Sequence, residues 1–156
     1  EYQDSYKEQI FDLILNIQRN EYNIAITKDQ QPDLNSITEF YQSGNGNFWI
    51  AVNDKDEVIG TIGLKDIGYN YLALRKMFVK DNYRGKEKKV SLTLLTTAKE
   101  WAKNIHIDRI YLGTTDKFLA AHRFYEKNSF NKIQQEELPE SFPVMKVDSV
   151  FYVCEI

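Results

Sequence analysis

The order of elements in this chain predicts an α+β fold, a mixed α/β sandwich in which helices flank a central sheet. Three observations carry that expectation. Apolar residues recur at helical spacing in two long segments: Tyr6, Ile10, Leu13, Ile14 and Ile17, then Val90, Leu94, Leu95, Ala98, Trp101 and Ala102. Between these segments lie three β-rich runs separated by turn residues. The second helical segment then stands between the third run and a fourth, which makes that pair of strands parallel.

Composition bounds the rest. A length of 156 residues suits one domain over residues 1–156, with a core of its own. Hydrophobic residues make up 42% and charged residues 28%, which excludes a disordered chain. A net charge of −3 argues against a surface built for nucleic acid. Cys154 is the single cysteine, so no intramolecular disulfide forms and a reducing, cytoplasmic setting is expected. No apolar run approaches the ~20 residues of a membrane span, and no signal-like segment opens the chain. The chain begins at Glu1, so residues before it are expected.

In chain order, Ser5 and Glu8 have the spacing of a capping box and open a helix over residues 5–19. Residues 20–31 read as a loop closed by Pro32. Asp33 caps a second helix carrying Leu34, Ile37 and Tyr41, ended by Gly44-Asn45-Gly46. This segment either borders a substrate cleft or merely packs. Strands follow at residues 48–52, 58–64 and 71–79, joined by turns at Asn53–Asp56 and Gly68–Asn70. A helix at about residues 87–104 leads to a strand at 109–113, a helix at 117–127, a short strand at 130–133, an irregular stretch at 136–147 and a last strand at 149–154.

The stretch from Met77 to Ser91 carries the chemistry. It joins a strand end, a basic turn and a helix start. A helix N-terminus presents unpaired N–H groups and a partial positive charge, so it is ready to receive an anion. Lys80, Arg84, Lys86, Lys88 and Lys89 crowd the same turn. Such a turn holds a phosphate or pyrophosphate, or it is a solvated lysine-rich loop.

Three motifs, in order, resemble the GNAT superfamily of acyl-CoA-dependent N-acetyltransferases. They are Met77-Phe78-Val79 with Tyr83-Arg84-Gly85-Lys86, the run Ile110 to Thr115, and Ala121 to Phe130. The last looks like the family's Ala-x-x-x-Tyr-Glu-Lys-x-Gly-Phe signature. The resemblance implies the acyl-CoA N-acyltransferase fold, with a mostly antiparallel mixed sheet and helices on both faces. The family's first strand would lie at or before residues 1–3. The family's pyrophosphate loop, Arg/Gln-x-x-Gly-x-Gly/Ala, fits best with Lys86, Lys89 and Ser91 against it, the alternative being Asn82, Gly85 and Glu87. Either alignment lacks a glycine, and glycine lets backbone approach phosphate closely. Ser129 stands where the family has glycine after the last helix, a left-handed position that costs more for serine.

The same resemblance implies acetyl-CoA as cosubstrate and an amine acceptor. A monomer or homodimer is expected, with no nucleic acid or membrane partner, and no metal, since no His/Cys/carboxylate cluster has metal spacing. The backbone N–H of Met77 would receive the oxyanion. Val79 would pair with the pantetheine. N–H groups from Arg84 to Ser91, including Gly85, Lys86, Lys88, Lys89 and Val90, would hold the pyrophosphate. Phe78, Thr114, Phe118 and Ala121 complete the expected cofactor site, and the Tyr125 hydroxyl would protonate the leaving thiolate. Spacing alone favours a core residue at Tyr125, which shares a helix face with Phe118 and Ala121; the surrounding signature reverses that. Ala73 stands where some relatives carry a basic carboxylate, leaving Glu21, Glu39 and Asp148 as candidates. His106 and His122 are expected in solvent, and Cys154 in the core. Acidic residues in the two flanking segments (Glu21, Asp29, Asp33, Glu39, Glu136, Glu137, Glu140) favour a cationic or amine substrate. The alternative is a non-catalytic CoA-binding or interaction module. A nucleotide-binding enzyme fits poorly, because no Gly-Lys-Ser/Thr follows the turn.

Overall fold

The computed structural model describes residues 1–85 and 89–156; Lys86, Glu87 and Lys88 lie outside the described residues. The elements run α1 (Lys7–Asn16), α2 (Pro32–Asn35), α3 (Ile37–Phe40), β1 (Asn47–Val52), β2 (Val58–Asp66), β3 (Tyr71–Val79), α4 (Val90–Asn104), β4 (Arg109–Thr114), α5 (Leu119–Lys127), β5 (Asn131–Ile133) and β6 (Val150–Glu155). The strands form one sheet in the order β1-β2-β3-β4-β6-β5. Every neighbouring pair is antiparallel except β3 and β4, which are parallel as the intervening helix requires.

Alternation along β1 shows why the helices cover both faces. Trp49 and Ala51 pack with Leu94, Leu95 and Ala98 of α4 and Tyr125 of α5. Phe48 and Ile50 point the other way, into Ile10, Phe11 and Ile14 of α1 and Ile37 of α3. A smaller cluster of Ile67, Ala73, Tyr111, Phe142 and Phe151 lies under the chain that precedes β6.

Helix ends depart from expectation for identifiable reasons. The Ser5–Glu8 capping box does not form, because a 3-10 turn at Asp4–Tyr6 already encloses Ser5. A capping box forms instead between Thr27 and Gln30, inside the expected loop. The second helix breaks into α2 and α3 at Ser36, and Asp33 is no cap: its carboxylate is buried and accepts the Tyr41 hydroxyl at 2.5 Å. Helix α4 starts at Val90 rather than 87, directly after Lys89 in the left-handed region (φ 56°, ψ 19°). Helix α5 starts at Leu119, since Phe118 closes a turn onto the Thr115 carbonyl. The N–H of Tyr2 donates to Phe48 O at 2.8 Å, so the chain start touches the β1 edge by one bond.

Candidate active site

Strands β3 and β4 pair only from Tyr71 to Ala73 and from Arg109 to Tyr111. Beyond that point they part, and Leu74 to Val79 face an opening between the two halves of the sheet. A bulge shapes the same stretch. Gly63 opposes Arg75 and Thr61 opposes Phe78, so Lys76 and Met77 together stand against Ile62. Lys76 absorbs the extra residue with φ 55°, and the buried Thr61 hydroxyl fastens it by donating to Lys76 O at 2.6 Å. After the bulge Met77 and Val79 continue on the α4 face, while Phe78 turns to the α1 face.

Two cavities open here. The larger, about 690 Å³, is walled by Met77, Phe78 and Val79 on one side and by Phe118, Ala121 and Tyr125 on the other. Gly85, Lys89 and Ser91 close its far end. Thr93 N–H donates to Lys89 O at 2.9 Å, and the first turn of α4 carries no acidic side chain. Lys89 thus adopts a glycine-like backbone at the position where the preferred alignment expects glycine. Val90 is turned toward β2, where a Cβ added at Gly60 would meet its Cγ1 at 3.2 Å. Lys86 and Lys88 fall on residues that are not described.

Arg84 lines the larger cavity, but its guanidinium is committed. It donates to Val79 O at 2.7 Å and grips both oxygens of Glu21 at 2.6 and 3.0 Å. Sequence reasoning missed Arg123 and Lys127, which bring charge to the wall from α5. Their spacing of four on a helix was the available signal. It also missed Tyr22, whose ring lies 4.3 Å from that of Phe118.

The smaller cavity, about 350 Å³, is lined by Gln31, Asp33, Arg75, Lys76, Gly113, Thr114 and Asp148, among others. Ile24 to Phe40 and Phe142 to Asp148 supply its outer walls, so both flanking segments border a cleft. Of the acidic residues expected there, Asp33 alone reaches the lining. Thr114 belongs to this cleft rather than the larger one. The two cavities share five residues: Met77, Phe78, Phe118, Ala121 and Tyr125.

Tyr125 is both a core residue and a cavity residue. Its ring packs 5.5 Å from Phe130 and 6.1 Å from Tyr152, and burial alone pushes its hydroxyl well above the usual phenol range. Of the three candidate carboxylates, Asp148 alone lines a cavity. Burial raises its pKa, while Met145 N–H donates to it at 2.9 Å, and Gly113 leaves it room. Glu21 is tied to Arg84, and Glu39 is exposed on α3. His122 is not solvated as expected: it is half-buried, with Nε2 2.9 Å from Thr115 O. His106 is exposed and Cys154 buried. Ser129 takes the left-handed backbone (φ 73°) expected of that position. Among the described residues no His/Cys/Asp/Glu cluster has the makings of a metal site, and no helix is long and apolar enough to cross a membrane.

The acetyltransferase (GNAT) family model matches residues 11–130, and the chain belongs to that family. A GNAT-family acetyltransferase from Staphylococcus aureus Mu50 superposes with a TM-score of 0.95 at 45% identity, over 99% of this chain and 96% of that one. The N-acetylaspartate synthetase of Xenopus tropicalis is 34% identical over 103 residues, which are 65% of this chain and 37% of that protein. A putative streptothricin acetyltransferase from Bacillus anthracis, solved with acetyl coenzyme A, is 26% identical with a TM-score of 0.60, over 76% of this chain and 67% of that one.

Proposed function

We propose that the protein transfers an acetyl group from acetyl-CoA to the primary amine of a small molecule or peptide, by direct attack in a ternary complex. The observation that carries this is the junction of two cavities at Met77 and Tyr125. The larger suits the cosubstrate: it runs from the open edge of β3 to the N-terminus of α4, whose first turn carries no acidic side chain. The smaller suits the acceptor. The curated relative's name makes amino acids the first acceptors to try.

Each residue then has a task. Asp148 takes a proton from the incoming amine, whose nitrogen bonds to the thioester carbonyl carbon. The Met77 N–H receives the negative charge that develops on the carbonyl oxygen. As the carbon–sulfur bond breaks, the Tyr125 hydroxyl gives its proton to the sulfur. The products are an amide and a free thiol. A phenol is protonated at neutral pH, the state this task needs, and burial raises the Tyr125 pKa further.

The test is thiol release from acetyl-CoA with a panel of amines, beside calorimetric binding of acetyl-CoA. Amine-dependent release supports the proposal. Tight acetyl-CoA binding with no release for any amine would favour the non-catalytic module. A carboxylate lining the smaller cavity, with a phenol that lines both, favours the catalytic reading.

A further inference from the structure

The smaller cavity holds two cations that an ordinary strand would separate. Consecutive side chains on a strand point to opposite faces. The bulge at Lys76 cancels that alternation, so Arg75 and Lys76 both reach Asp33, their side chains only 12% and 10% exposed. Neither pair is close: Asp33 Oδ2 lies 3.9 Å from Arg75 Nη2 and 3.8 Å from Lys76 Nζ, while the Tyr41 hydroxyl takes it at 2.5 Å. Lys76 donates to Gln31 Oε1 at 2.5 Å, and Gln31 exchanges bonds with buried Gln18 at 2.9 and 3.2 Å. Among the described residues the Arg75 guanidinium makes one hydrogen bond, to Met145 Sδ at 3.5 Å, and lies 5.4 Å over the Phe40 ring. A guanidinium has five N–H donors in a fork that matches a carboxylate. Here the fork is held flat by an aromatic ring, lines a cavity and is nearly unused.

We infer that the acceptor is a small amino-carboxylate, such as a free amino acid, whose carboxylate is gripped by Arg75 and Lys76 while its amine faces Asp148. The inference rests on the acetyltransferase reading and reverses the cationic acceptor that the acidic flanking segments favour. Leaving such a fork unmatched in a desolvated pocket is costly, which makes this contact discriminating rather than merely additive. A polyamine brings a second positive charge against Arg75 and is disfavoured.

The experiment compares an amino acid, its carboxamide and the amine lacking the carboxyl carbon. Binding to the CoA-loaded protein is read by calorimetry, and turnover by thiol release. The expected result is a preference of at least about thirtyfold for the amino acid over its carboxamide. In Arg75→Gln the acceptor KM rises about tenfold or more and the preference collapses, while the acetyl-CoA Kd stays within about twofold. Arg75→Lys, which keeps charge but loses the fork, recovers only part. Equal use of the three compounds, or preference for a polyamine, overturns the inference. Discrimination in binding without thiol release would defeat the acetyltransferase reading and keep only the carboxylate grip of Arg75 and Lys76. Thiol release without discrimination would do the reverse.

Discussion

Asp148 shows how neighbours set one side chain's chemistry. A Cβ placed on Gly113 would stand 2.7 Å from Asp148 Oδ2, so glycine on β4 is what lets the carboxylate enter the cavity. Gly113→Ala is expected to displace it and lower kcat about tenfold or more, with acetyl-CoA affinity kept, as steady-state kinetics will show. Because burial raises the Asp148 pKa, the acid limb of kcat/KM should fall at higher pH than an ordinary carboxylate gives, and vanish in Asp148→Asn. Lys76 makes a stability prediction. Burial lowers its pKa to about 8, so between there and the ordinary lysine value the unfolded chain binds the extra proton. Stability therefore rises with pH from about 8 toward 10, by up to about 3 kcal/mol. Tyrosines with raised pKa values oppose this only above about pH 10. Urea midpoints at two pH values in that window check it, and Lys76→Met should flatten the rise.

The elements differ in how plainly the sequence announces them. Period-two runs separated by turn residues make β3 legible to the residue, at Tyr71–Val79. The α5 signature likewise places Tyr125 on a helix that ends at Lys127. Helix starts are less legible, because competing caps cost nearly the same: the Ser5 box lost to a 3-10 turn and the Thr27 box formed unannounced. The bulge left only a faint sign, the adjacent polar pair Arg75-Lys76 inside an apolar strand, with no glycine to mark it. Its consequence, two cations in one cavity, was therefore invisible. The left-handed serine after α5 was legible, since a family glycine was missing there. Ser129→Gly should relieve about 1 kcal/mol, seen as a higher denaturation midpoint with kcat unchanged.

For the molecule as a whole, the parting of β3 from β4 is the organising event. It opens the sheet at the bulge and brings α4, α5 and the chain before β6 to the edges of one opening. In the proposed reaction, cosubstrate and acceptor approach from different sides and meet over Met77 and Tyr125. The chain belongs to the GNAT family, and its Arg75, Lys76 and Asp148 bring both signs of charge to the smaller cavity. The most direct test of the meeting point is Tyr125→Phe, assayed for acetyl-CoA affinity by calorimetry and for transfer by single-turnover thiol release. The account predicts an affinity within about twofold of the parent and transfer slower by about a hundredfold or more. Unchanged transfer, or a large loss of affinity at full rate, would contradict it.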